Sequence, residues 1–163
     1  MILIAPHLEE LTGPVIFLAG PIQGAPDWQT EAMGLLGVNP YIHVVSPRQS
    51  IQKKEEFSDQ DYFSQIEWEH HYLDVACKSG VVMFWLPKPI EIIQGRAYAQ
   101  TTRFELGEMV ARHYLSGIRL VIGIEKGFGN DRYIRRTLEL KAPKVSVCST
   151  LEETCESALT FFR

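Results

Sequence analysis

Short uninterrupted apolar runs alternate along the chain with stretches whose apolar residues recur at helical spacing. Residues 14–19, PVIFLA, stop at Gly20-Pro21 and predict a buried parallel strand followed by a turn. Asp27 is placed to cap a helix over residues 28–36 that closes at Gly37, and residues 42–46, IHVVS, give a second strand. Strand, helix and strand together make a βαβ unit. The polar residues 47–57, PRQSIQKKEEF, carry Arg48, Lys53 and Lys54 and directly follow a strand's C-terminal end, where open parallel sheets hold their ligands. This loop is a candidate cover for a substrate. A helix from Ser58 or Asp59 through Cys77 follows, with Phe63, Ile66, Leu73 and Ala76 facing inward, and Gly80 ends it. The most apolar run, VVMFWL at 81–86, reads as the central strand.

In residues 101–112, TTRFELGEMVAR, Thr102 and Glu105 have the spacing of a capping box, and Phe104, Met109, Val110 and Ala111 suit one buried helix face. Residues 119–124 give a fourth strand. Asp131 is positioned to cap the next helix, residues 144–147 form a short strand, and Thr150 and Glu153 open a closing helix over 150–162 with a second capping box. Five strands alternating with helices predict an α/β fold, a three-layer α/β/α sandwich on a five-stranded parallel, flavodoxin-like sheet. The loops at 20–27, 88–100 and 125–131 would then share one edge of that sheet.

A length of 163 residues fits a single domain over 1–163. The net charge of −4 provides no global basic field for a nucleic-acid backbone, so duplex DNA is not an expected partner. Three cysteines without a Cys-x-x-Cys pair suggest neither a disulfide framework nor a zinc cluster, and fit a reducing cytoplasm. No secretory leader and no run long enough to span a bilayer is legible, so a soluble chain without a membrane partner is expected. Glu67, His70 and His71 share a helix face, but no third strong ligand is placed by the sequence, and no metal or other cofactor is invoked.

The glycines at 123, 127 and 129 match neither a phosphate loop nor a dinucleotide fingerprint, and the serines and cysteines lack the context for acyl transfer. Carboxylates remain. Taken alone, Glu105 is most simply a helix cap and Glu69 a solvated acid. Held at one sheet edge, however, the two suit glycosidic chemistry, with one acid attacking an anomeric carbon while the other manages the leaving group's proton. Glu105 in a first turn would be kept ionised by the helix start, and Trp68 beside Glu69 would favour that acid's protonated form.

The segments IFLAGP, the Trp68-Glu69 pair before a strongly apolar strand, and TTRFELGE together resemble the nucleoside 2-deoxyribosyltransferase family, particularly its short bacterial and phage-like branch, from about Val15 to about Arg136. The resemblance implies cleavage and transfer at the N-glycosidic bond of a 2′-deoxynucleoside through a covalent deoxyribosyl-glutamate. Glu105 matches the nucleophile and Gly107 the small residue that lets the helix start approach the sheet. Gly20 and Pro21 match the loop bordering the sugar. Phe17 lies where relatives often carry a Tyr, and Glu69, or by an ungapped match a position near His71 or Tyr72, corresponds to the acid that protonates the departing base. Arg96 and Arg103 are candidates for a substrate phosphate. Phe128, with Trp85 and Tyr133, is a candidate to stack on the base. Nucleosides or nucleotides and free nucleobases are the implied partners, together with a homo-oligomer whose neighbouring subunit completes the pocket. Two alternatives are an N-glycoside hydrolase acting on deoxynucleoside 5′-monophosphates and a non-catalytic nucleotide-sensing module.

Overall fold

The computed structural model describes residues 1–49 and 58–163. From residue 50 onward, the polar loop expected to cover a substrate lies outside the described residues. The strands are β1 (Ile2–Ile4), β2 (Val15–Ala19), β3 (His43–Ser46), β4 (Val81–Leu86), β5 (Leu120–Ile124) and β6 (Val147–Cys148). The helices are α1 (Trp28–Leu36), α2 (Asp59–Ser79), α3 (Gln100–Ser116), α4 (Asp131–Lys141) and α5 (Leu151–Leu159), which runs into a short 3-10 turn, Thr160–Phe162.

One parallel sheet has the order β1-β3-β2-β4-β5-β6. Without β1 this is the expected flavodoxin-like order, but the sheet has six strands rather than five. Ile2–Ile4 pairs on the outer side of β3 with Val44 to Ser46. Every residue of β2, β4 and β5 is buried, as continuous apolar strands covered on both faces require. Alternate side chains divide the core in two. Phe17, Val82, Phe84 and Ile122 pack with Trp68 and Tyr72 of α2, Leu106 and Met109 of α3, and Leu138 of α4. Ile16, Leu18, Met83 and Val121 pack with Trp28 and Leu36 of α1 and with Leu151 and Cys155 of α5.

The expected cap of α1 forms, Asp27 accepting from the Thr30 N–H at 3.3 Å. Ser58 and Asp61 make a reciprocal capping box for α2, which ends at Gly80. Other details differ from expectation. Phe63 is exposed on the first turns of α2, whose inner face is formed by Trp68, Tyr72, Leu73 and Ala76. Asn130, in the left-handed region, precedes α4, while Asp131 is its first residue and pairs with Arg135 at 2.7 Å. Strand β6 begins at Val147, three residues later than expected. Thr150 caps α5, but the Glu153 carboxylate reaches the Ser149 N–H rather than that of Thr150.

Helix α3 departs most. It starts at Gln100 behind Ala99, which adopts φ 57° and ψ 29° and contributes no side-chain cap. Thr102 is therefore buried inside the helix, and the capping box expected from Thr102 and Glu105 does not form. Phe104 and Ala111 point outward while Leu106, Met109 and Val110 face the sheet. Gly107 is also on the outer face, where a Cβ would meet no atom within 4 Å, so it does not serve helix–sheet approach. Gly107→Ala is expected to stabilise the chain by about 0.5–1 kcal/mol through helix propensity, measured by urea denaturation. A destabilised variant would show that close approach at Gly107 matters after all.

Candidate active site

The strand order reverses across β2 and β4, so their C-terminal ends border the crevice of an open α/β sheet. Gly20, at φ 154°, begins the loop after β2, and a Cβ there would run into the Trp85 carbonyl and come within 2.7 Å of the Trp28 ring. Only glycine fits. The Pro21 carbonyl accepts from the Trp28 indole at 2.9 Å and from Gln29 Nε2 at 3.5 Å. Arg48, just past β3, donates to the Pro26 carbonyl at 3.1 Å and to Gln29 Oε1 at 3.0 Å, and pairs with Asp27 at 3.2 Å. These bonds turn the loop's carbonyls toward the protein.

Gly24, at φ 73°, couples this loop to the one after β4, its carbonyl accepting from the Ile90 and Glu91 N–H groups at 2.9 and 3.3 Å. The third loop, after β5, is joined by Glu125, which accepts from the Lys88 N–H at 2.9 Å and pairs with its ammonium at 3.5 Å. Tyr98 donates to the Pro87 carbonyl at 2.9 Å, and burial with the nearby Glu125 charge pushes its phenol up to about 12, so it remains a donor. All three loops expected to gather at this edge are joined there.

Two carboxyls lie on the adjacent helices α2 and α3. Glu69 sits midway along α2 and Glu105 is the sixth residue of α3; both are half-buried. Lower down, the same helices are linked by Arg112, which reaches Asp74 at 2.7 Å and the Cys77 sulfur at 3.6 Å. Burial first, then the Glu69 charge and that of Glu108, pushes the Glu105 carboxyl up from 4.5 to about 8. This overturns the expectation that the helix start holds Glu105 ionised: the helix begins earlier than expected, and its dipole fades beyond the first turn. Burial also raises Glu69, opposed by a 2.8 Å hydrogen bond from Gln65 and by the charge of His70. Trp68 faces the core and donates to the His7 carbonyl, so burial rather than a stacked aromatic explains that shift.

The remaining expected residues divide. Gly20, Pro21 and Arg103 lie on the three loops or at the start of α3, and Arg96 is exposed in the loop after β4. Arg103 donates to the Gly129 carbonyl at 2.6 Å and lies 4.4 Å over the Phe128 ring, so its guanidinium already has partners. Phe128 is buried between that guanidinium and Tyr98, and Trp85 is core; neither presents a face to a base, while Tyr133 is exposed on α4. Phe17 is buried against Trp68 rather than lining the crevice. Gln65 and Tyr98 were not legible as site residues, and Arg48 was singled out only as part of the polar loop that follows a strand. Among the described residues no group of three His, Cys, Asp or Glu side chains is arranged to hold a metal.

A parallel α/β sandwich whose strand order reverses between β2 and β4 defines the class of protein. The family model described as nucleoside 2-deoxyribosyltransferase like matches residues 13–127, and the chain belongs to that family. No curated protein matches the chain. The family makes it a deoxyribosyltransferase-like protein of nucleotide metabolism with nucleoside substrates. Among the described residues no helix is long and apolar enough to cross a membrane.

Proposed function

We propose that the protein cleaves the N-glycosidic bond of 2′-deoxynucleosides and transfers the deoxyribosyl group to another base, with Glu105 as nucleophile and Glu69 as proton donor. Two half-buried acids on adjacent helices, with the Glu69 charge raising Glu105, carry the reading, because isolated caps or solvated acids would not share a charge field. With the proton that the pair retains moved from Glu105 to Glu69, the freed Glu105 oxygen bonds to C1′ as the C1′–N bond breaks. The bond's electron pair leaves on the base nitrogen, and the Glu69 proton goes to the base. A second base then attacks C1′, frees the Glu105 carboxylate and returns a proton to Glu69.

The Gly20-Pro21 loop borders the sugar in this reading, and of the two arginines expected to meet a substrate phosphate Arg96 is the exposed one, Arg103 being already engaged. The outer face of α3 supports a homo-oligomer, since Phe104 and Leu115 are each 79% exposed beside Gly107 and Ala111. Three free thiols fit a cytoplasmic setting. Incubation with a deoxynucleoside and a different free base, followed by chromatography, is expected to yield a new deoxynucleoside. Free deoxyribose alone would assign hydrolysis, and binding without turnover would assign a sensing role.

A further inference from the structure

Gln65 lies one helical turn before Glu69 on the same face of α2. Its side-chain amide is held from three sides: Nε2 donates to Glu69 Oε1 at 2.8 Å and to the Pro47 carbonyl at 3.1 Å, while Oε1 accepts from Gln49 Nε2 at 3.0 Å. The Pro47 carbonyl is a backbone acceptor just past β3 and cannot exchange roles. Turning the amide over would set its oxygen against that carbonyl and remove the donor from Glu69. Gln65 therefore presents an N–H to Glu69 whichever protonation state the acid adopts. Because that N–H must meet a lone pair on Oε1, a proton on Glu69 belongs on Oε2.

We propose that Gln65 is a positioning residue that fixes the Glu69 carboxyl and confines its transferable proton to Oε2, so that each turnover delivers and recovers the proton at one atom. This deepens the transferase reading and rests on it for its catalytic consequence. The groups acting on Glu69 are Gln65 and His70 from its own helix and Glu105 from α3. Removing the Gln65 donor takes away a bond that favours the ionised acid, so Glu69 must then titrate at higher pH.

The test uses Gln65→Leu and the isosteric Gln65→Glu, which offers no N–H. Both are expected to lower kcat by about ten- to a hundredfold, with KM for the deoxynucleoside changed less than about threefold. Carboxyl carbon NMR of the free protein should show the Glu69 midpoint displaced upward in Gln65→Leu. Equal losses in kcat and KM with an unmoved Glu69 titration would overturn the proposal and leave Gln65 as packing alone. If the wild-type protein turns over no deoxynucleoside but Glu69 still shifts in Gln65→Leu, the positioning role stands and the transferase reading fails.

Discussion

Glu105→Gln is expected to lower kcat for base exchange by about three orders of magnitude or more while making the folded protein more stable at pH 7. In the proposed reaction, the loss follows from removing the oxygen that would bond to C1′. The gain follows from where the acid is kept. In the unfolded chain this carboxyl loses its proton near pH 4.5, whereas in the folded protein it keeps it to about 8. Between those values the unfolded state releases a proton that the folded state retains, so the wild-type fold loses stability as pH rises through this window and loses no more above it. A shift this large would correspond to about 5 kcal/mol at its limit, and partial exposure with the new amide's own burial reduces the expected gain to about 1–3 kcal/mol. Thermal melts from pH 4 to 8.5 should show the two proteins alike at the acid end and the variant several degrees higher above neutrality. A gap that ignores pH, or a less stable variant, would mean that Glu105 is not held against its ionisation.

This outcome reverses what a cap would do. Loss of a helix cap destabilises by about 1 kcal/mol, and a Thr-x-x-Glu signature at Thr102 and Glu105 points to a cap. The helix instead begins behind Ala99 in a left-handed conformation that costs a non-glycine residue about 1–2 kcal/mol and has no sequence signature. Strain of this kind is tolerated where the surroundings determine the backbone, and here the residue stands at the entrance to the candidate nucleophile's helix.

The rest of the fold was legible to the extent that it was local. Buried parallel strands announce themselves as unbroken apolar runs, and β2 to β5 lay where those runs lie. Strand β1 did not, because three residues are too few for a periodic signal and pair only once β3 offers an edge. Phe63 and Phe104 misled the helix phases because apolar residues also occupy surfaces. The two candidate carboxyls were chosen by residue type and family resemblance. Gln65, which holds Glu69 and is itself tied to Pro47, and the Gly24 carbonyl, which joins two loops through Ile90, act across distances in sequence that no spacing rule reaches.

The second large effect belongs to Glu69. With two interacting acids, the reactive form is the one holding a single proton, placed on Glu69 with Glu105 ionised. The wild-type kcat/KM should therefore be bell-shaped, falling on the acid side as both carboxyls protonate and on the alkaline side, near pH 8, as the last proton leaves. Glu69→Gln removes the proposed proton donor and the neighbouring charge together. Activity on nucleosides with poor leaving bases is expected to drop by about two to four orders of magnitude. The alkaline limb should disappear, leaving a single rise as Glu105 ionises, because the Glu69 charge that holds the last proton on the pair is gone. A base that departs without protonation should be cleaved at nearly the wild-type rate. If poor and good leaving bases suffer alike, or the alkaline limb survives the substitution, the proton comes from another group and the pairing of roles between α2 and α3 is wrong.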